Sequence, residues 1–211
     1  MSRLGVAGGV GALGGFVVGR YLDEIESGGH KIFHQPPKQP ASSSELLQAV
    51  RSVTKDAGSF AVLSTRNANE GVSSRVVLLQ DPFGLEDSAD GKGLRVIFNT
   101  NLLSKKVVQM RNQPQCSLLF FNPKKLEFVS YEGQSKQITQ SDAKHVWWRE
   151  WLRLFYPEGP DGSRFSVWEL RPEKVQLVSG GKGLESTRED WQSPELRLNH
   201  STKLWERVDV K

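Results

Sequence analysis

Ser104, Lys105 and Lys106 place one hydroxyl group and two ammonium groups at the predicted start of a short helix. The start of a helix leaves backbone N–H groups free and carries the positive end of the helix dipole. Both properties suit an anion, and a phosphate group in particular. These residues therefore predict a phosphate-binding site, with a solvated basic turn as the alternative reading of the same segment.

Strands surround this helix in the sequence. Leu94–Thr100 precedes it, Gln115–Phe121 follows it, and its apolar side is expected to consist of Val107, Val108 and Met110. Other strands are predicted at Phe60–Thr65, Val72–Gln80 and Glu127–Thr139, with a last strand pair inside Ser166–Ser179 that Arg171-Pro172 breaks. Short strands with a single inserted helix are typical of an antiparallel barrel.

Three local features refine the strand pattern. The continuously apolar end of Val72–Gln80 predicts a strand buried on both faces. Asp81–Lys92 is polar, contains proline and glycine, and is predicted to be a loop. Gly133 lies inside the long strand and is expected to bend it.

Two further helices are predicted on either side of the strands. Ser42 and Glu45 have the spacing of a capping box, and a helical apolar stripe runs from there until Gly58. A second helix is predicted over Ser141–Phe155, where large aromatic side chains recur every four residues. We expect that aromatic face to pack across the core or at a subunit interface, because tryptophan dominates such burial.

The first 41 residues differ in composition from the rest. Residues 4–19 are uncharged and rich in glycine, which fits a marginal membrane anchor, an organelle-targeting leader or a flexible tail. The predicted organisation is a leader or anchor at 1–22, a linker at 23–41, the folded domain at 42–183, and a polar C-terminal tail at 184–211 that packs on the domain.

Charge and cysteine content restrict the function classes. The net charge is +4, but no dense stripe of lysine and arginine appears, so a nucleic-acid partner is not predicted. Cys116 is the only cysteine and lies in an apolar strand, which excludes an intramolecular disulfide and predicts an inert thiol. The four histidines lack metal-ligand spacing, and no metal site is predicted.

We expect an intracellular protein, cytoplasmic or mitochondrial, with membrane association through residues 4–19 as a further possibility.

Two motifs together resemble the pyridoxamine 5′-phosphate oxidase family. The first is RVVLLQ, beginning at Arg75, and the second is NTNLLSKK, beginning at Asn99 about twenty residues later. The similarity continues from Gln109 through the strand that contains Cys116 and extends over about residues 45 to 140. The segment from Trp147 to Gly180 is closer to the general stress protein branch of the same superfamily.

The resemblance implies a mainly β fold with flanking helices (α+β): an FMN-binding split β-barrel with antiparallel strands. It further implies a homodimer with the flavin at the subunit interface. Arg75, Lys105 and Lys106 would hold the FMN phosphate, with Ser104 beside them. Val76, Val77, Leu78 and Gln80 would line the isoalloxazine ring, Asn99 and Thr100 would contact the ring or the ribityl chain, and Arg188 matches the family's last arginine. An arginine and two lysines match the nearly two negative charges of that phosphate.

Several positions depart from the family pattern. Gln80 replaces a lysine, Lys105 replaces an arginine, and Phe128 replaces a glutamine. Near the C-terminus, Val178 replaces a tryptophan, and Leu184 and Ser186 replace the arginine and histidine that hold the pyridoxal substrate in the oxidase. We therefore predict an FMN-dependent oxidoreductase whose small-molecule substrate is not pyridoxamine phosphate, with its catalytic residues unassigned.

Two alternatives remain from the sequence. One is a non-catalytic split-barrel dimer that binds a flavin or another ligand, or none at all, as a sensor or stress-related protein. The other is a membrane-tethered adaptor that uses the aromatic helix.

Overall fold

Antiparallel strands dominate the part of the chain that the structure describes, as the short strand lengths and turn residues predicted. The computed structural model describes residues 42–67, 71–79, 85–87, 94–140, 142–179 and 193–208, and residues 85–87 by their backbone only. The elements are α1 (Ser43–Ala57), β1 (Phe60–Asn67), β2 (Gly71–Leu78), β3 (Leu85–Asp87), β4 (Leu94–Asn101), α2 (Lys105–Asn112), β5 (Gln115–Asn122), β6 (Glu127–Ile138), α3 (Ala143–Val146), a 3₁₀ helix (Glu150–Leu154), β7 (Phe165–Val178), β8 (Glu195–Leu198) and β9 (Trp205–Val208).

The capping box at the start of α1 forms as predicted. The Ser42 hydroxyl accepts from the backbone N–H of Glu45, and the Glu45 carboxylate accepts from the backbone N–H of Ser42. Gly58 ends the helix with a φ of 83°, a conformation that glycine adopts without strain. Leu46 and Val53 are fully buried and attach the helix to the barrel core.

The sheet curls until its ends meet. Its strand order is β2-β1-β5-β6-β7-β4-β3, and β8 and β9 extend it beside β7. A single backbone bridge between Leu79 and Phe98 brings β2 back to β4. All the strand pairs of the described residues are antiparallel, and the interior is filled by side chains such as Leu63, Phe120 and Tyr131. The predicted antiparallel barrel is therefore confirmed.

Beyond the Leu79–Phe98 bridge, β2 and β4 separate. Within the described residues, β2 pairs only with β1, and β4 from Asn99 to Asn101 pairs only with β7. Apart from that bridge, no strand of the described residues pairs with the facing edges of β2 and β4. We call this gap the β2–β4 crevice, and α2 begins beside it, four residues after β4 ends.

The helix predicted over Ser141–Phe155 is wrong. Ala143–Val146 is helical and Glu150–Leu154 is a 3₁₀ helix, and Arg149 between them is extended. Trp147 and the adjacent Trp148 both pack against the cluster around Phe165, and the extended backbone at Arg149 separates them from the 3₁₀ helix. Tertiary packing thus overrides the four-residue periodicity, and Trp151 and Phe155 stay exposed. The adaptor hypothesis loses the helix on which it rested.

Two burial predictions are also wrong. Val107 and Met110 are buried, but Val108 is 54% exposed because the two-turn helix presents only one side to β1. The end of β2 is not buried on both faces, since Val76 is 64% exposed while Val77 is buried. Only one face of β2 is covered by the barrel core.

β7 is one continuous strand rather than a broken pair. It pairs with β4 through its first half and with β6 along most of its length. The register between β6 and β7 shifts at Gly133, where an added Cβ would come within 2.7 Å of the Pro172 Cα. Glycine therefore lets the two backbones approach at the bulge, so the predicted irregularity at Gly133 is confirmed.

The sequence did not predict the three shortest strands. β3 lies inside the predicted loop Asp81–Lys92, and β8 and β9 lie inside the predicted polar tail. The residues predicted as leader and linker, 1–41, lie outside the described part of the chain. In the part that is described, no helix is long and apolar enough to cross a membrane.

Candidate functional site

Arg75 is half-buried on the inward face of β2 and is held by three neutral acceptors. Its Nη1 donates to the Thr65 hydroxyl at 2.6 Å and to the Leu63 carbonyl at 3.4 Å. Its Nη2 donates to Gln109 Oε1 at 2.8 Å, and the Thr65 hydroxyl donates to the same oxygen at 2.6 Å. Strands β1 and β2 and helix α2 therefore converge on one guanidinium.

No carboxylate in the described ranges pairs with this guanidinium. Burial lowers the pKa of Arg75 from its usual value, because removing water disfavours the charged form. An arginine nevertheless stays protonated at any physiological pH. The site therefore keeps a full positive charge that no described residue neutralises.

Lys106 adds a second half-buried charge in the first turn of α2. Burial lowers its pKa, and the charge of Arg75 lowers it further. The two cations thus lie close enough to repel each other, and an anion placed between them would relieve that repulsion. Lys105, its neighbour in the first turn, is exposed.

Ser104 occupies the N-cap position of α2, but its hydroxyl makes no capping hydrogen bond. It lies 3.4 Å from the hydroxyl of Thr100, which is buried on β4. The Thr100 carbonyl accepts from the Ser166 hydroxyl at 2.7 Å, so β7 fixes this part of β4. A hydroxyl, free helix N–H groups and a lysine therefore stand together beside the β2–β4 crevice.

Asn99 lies on the opposite face of β4 from Thr100. Its Nδ2 donates to the Trp147 carbonyl at 3.4 Å, whereas its buried Oδ1 has no hydrogen-bond partner. A buried amide oxygen without a partner is costly, and a donor from a ligand would satisfy it.

The structure therefore brings together five of the predicted residues: Arg75, Thr100, Ser104, Lys105 and Lys106. Val77 faces the core beside them, while Val76 and Leu78 lie on the outer face of β2 and offer the crevice their backbone edge. Gln80 and Arg188 lie outside the described residues.

Sequence reasoning missed Thr65 and Gln109 as members of this site. Gln109 follows Lys106 by three residues, so helical spacing alone places both side chains on the same side of α2. No sequence pattern indicates Thr65 as a site residue, because its contact with Arg75 depends on the register between β1 and β2.

The described residues of this site include neither a reactive thiol nor a group of side chains that could bind a metal ion. Cys116 is buried, and that burial raises its pKa to about 11, so the thiol stays protonated at neutral pH, as predicted. No group of three metal-ligating side chains occurs in the described ranges. The arrangement is suited to binding an anion at the mouth of the crevice.

An apolar band crosses the outer face of β2, β1 and β5. Val76 lies opposite Val62, and Val62 lies opposite Leu119 on the other side. Phe60 and Phe121 extend the band, and both are more than half exposed. Contiguous exposed apolar surface of this kind marks an interaction site in soluble proteins.

Solved structures share this fold at low sequence identity. A pyridoxamine 5′-phosphate oxidase-related, FMN-binding protein of Nostoc punctiforme is 15% identical with a TM-score of 0.56, and the match covers 82% of this chain and 98% of that one. A general stress protein 26-related protein of Clostridium acetobutylicum is 14% identical with a TM-score of 0.53, covering 66% and 91%. PhzG of Burkholderia lata is 19% identical with a TM-score of 0.52, covering 82% and 94%.

The sequence itself gives the family. No curated protein sequence matches the chain. The sequence model of the pyridoxamine 5′-phosphate oxidase family matches residues 46–179, which is more than half of the chain and includes every described residue of the candidate site. The resemblance read from the two motifs is confirmed, and the protein belongs to the pyridoxamine 5′-phosphate oxidase family.

Proposed function

We propose that the protein binds FMN in the β2–β4 crevice and acts as a flavin-dependent oxidoreductase. The observation that carries the proposal is the half-buried pair of Arg75 and Lys106, two mutually repelling cations that lack an acidic partner in the described part of the chain. A phosphate group with nearly two negative charges would balance them. Ser104 and the N-terminal N–H groups of α2 would supply neutral donors to the same oxygens.

The residues present fit the rest of a flavin as well. The facing edges of β2 and β4 offer backbone N–H and C=O groups to the polar edge of an isoalloxazine ring. The unsatisfied Oδ1 of Asn99 would accept from a flavin N–H or a ribityl hydroxyl. The family relative from Nostoc punctiforme is described as FMN-binding, which supports the same ligand here.

A bound flavin supplies hydride or electron transfer at its ring, and the protein supplies position and electrostatics. Arg75 and Lys106 would hold the phosphate end, and the two strand edges would orient the ring. Phe128 and Val178, which stand at the family's glutamine and tryptophan positions, face each other across β6 and β7. The arginine and histidine that hold the pyridoxal substrate in the family correspond to Leu184 and Ser186 in this sequence, so the substrate is proposed to be something other than pyridoxamine phosphate.

The functional form is proposed to be a homodimer. The apolar band formed by Phe60, Val62, Val76, Leu119 and Phe121 has the chemistry of a stable subunit contact, and a second copy of the chain would cover it. β2 contributes Val76 to this band and Arg75 to the cation pair, so the interface and the crevice share one strand.

Replacing Arg75 with methionine should weaken FMN binding by at least about tenfold, because a charged donor to the phosphate is lost. Titration of the full-length protein with FMN, followed by quenching of flavin fluorescence, measures the effect. Arg66→Met is the matched control, since Arg66 is exposed on β1, and it should change the affinity less than about twofold. Failure of the unaltered protein to bind FMN would contradict the proposed function.

The affinity for FMN should fall as the pH rises through the lowered pKa of Lys106. Below that pKa the ammonium group is charged and attracts the phosphate, and above it the attraction is lost. Titrations with FMN and riboflavin over an alkaline pH series isolate the phosphate contribution. Lys106→Arg should remove the alkaline loss, because an arginine remains charged. A pH-independent ratio of the two affinities would refute this role for Lys106.

Leu119→Lys should convert the dimer into a monomer, because it places a charge in the middle of the apolar band. Sedimentation velocity measures the change, and circular dichroism checks that the barrel remains folded. Leu204→Lys, at another exposed leucine just before β9, should leave the dimer intact. A monomeric unaltered protein would disprove the proposed assembly.

A further inference from the structure

We infer that Gln109 is the positioning residue of the phosphate site: it fixes the guanidinium of Arg75 while leaving its charge uncompensated. This inference rests on the proposed FMN site and assigns a role to a residue outside the predicted set. Gln109 is buried in α2, between the cation pair and strand β1. It acts on the ligand through Arg75 and is therefore distinct from the residues that would touch the phosphate.

The hydrogen bonds determine the orientation of the Gln109 amide. Oε1 accepts from both Arg75 Nη2 and the Thr65 hydroxyl, and Nε2 lies 3.4 Å from the Ser73 hydroxyl as a donor. Turning the amide over would place its NH₂ group against the guanidinium, donor against donor. Only the observed orientation satisfies the whole network.

These contacts occupy one edge of the guanidinium. Nη1 and Nη2 are engaged by Thr65, Leu63 and Gln109, whereas Nε–H has no described partner. The adjacent edge, formed by Nε–H and the second Nη2 hydrogen, is thus available. This paired arrangement of two parallel N–H groups is the one that arginine uses to bind phosphate oxygens bidentately.

The same protein fixes other arginines with carboxylates. Arg171 pairs with the buried Glu169 at 2.8 Å, and Arg197 pairs with the buried Glu195 at 2.6 Å. In those pairs a carboxylate, which Glu169 shares with Arg95 and Glu195 shares with Lys174, offsets part of the positive charge, as suits a structural contact. At Arg75 the acceptor is an amide instead, so the side chain is held in place and its charge remains for a ligand.

The test compares FMN with riboflavin, which lacks only the phosphate, in three variants of the full-length protein. Gln109→Met removes the acceptor and should weaken FMN binding about tenfold while riboflavin binding changes less than about twofold. Gln109→Glu keeps an acceptor of the same shape but cancels the charge of Arg75, and it should weaken FMN binding at least as much. Gln137→Met is the matched control. Gln137 accepts a hydrogen bond of 3.0 Å from Arg111 and does not contact the cation pair, so the substitution should alter neither affinity.

The outcomes separate the two claims. If the unaltered protein binds neither flavin, the proposed function fails and this inference fails with it. If the protein prefers FMN to riboflavin but Gln109→Glu keeps that preference, the proposed function stands and the role of Gln109 is refuted. An equal loss of FMN and riboflavin binding in both Gln109 variants would show a general packing role, which also refutes the inference.

Discussion

A single backbone bridge between Leu79 and Phe98 closes this barrel and also determines where it opens. From the bridge toward Asn101, β2 and β4 diverge and leave two strand edges that no other strand of the described residues pairs. Unpaired backbone groups that are shielded from water cost free energy, so such a crevice is favourable only if something else pairs with them. The proposed flavin site depends on that divergence.

The cations at the mouth of the crevice involve a similar compromise. Arg75 and Lys106 are half-buried, and burial lowers the pKa of both; the charge of Arg75 lowers the pKa of Lys106 further. Carboxylate partners would stabilise the folded chain, and the protein uses them at Glu169 and Glu195. At the crevice it uses Thr65 and Gln109 instead, which hold the arginine without neutralising it. Stability given up in this way is typical of a site prepared for an anionic ligand.

Local sequence signals predicted the parts of this fold that local chemistry determines. The capping box of Ser42 and Glu45, the start of α2 after Ser104, and the bulge at Gly133 follow from residue types and their spacing. The prediction of one helix over Ser141–Phe155 failed because Trp147 and Trp148 both pack on the Phe165 cluster, and that tertiary contact cannot be read from the spacing of aromatic residues. The network around Arg75 could be predicted only in part from the sequence. Thr65 is 10 positions from Arg75 in the chain and Gln109 is 34 positions from it, and their contacts depend on the register of β1 and the placement of α2.

A crystal structure of the full-length protein grown with FMN tests the central claim most directly. The account predicts the flavin phosphate within hydrogen-bonding distance of both the Arg75 guanidinium and the Lys106 ammonium group, with the ring against the open edges of β2 and β4. Flavin bound elsewhere, or a phosphate group remote from Arg75, would contradict it.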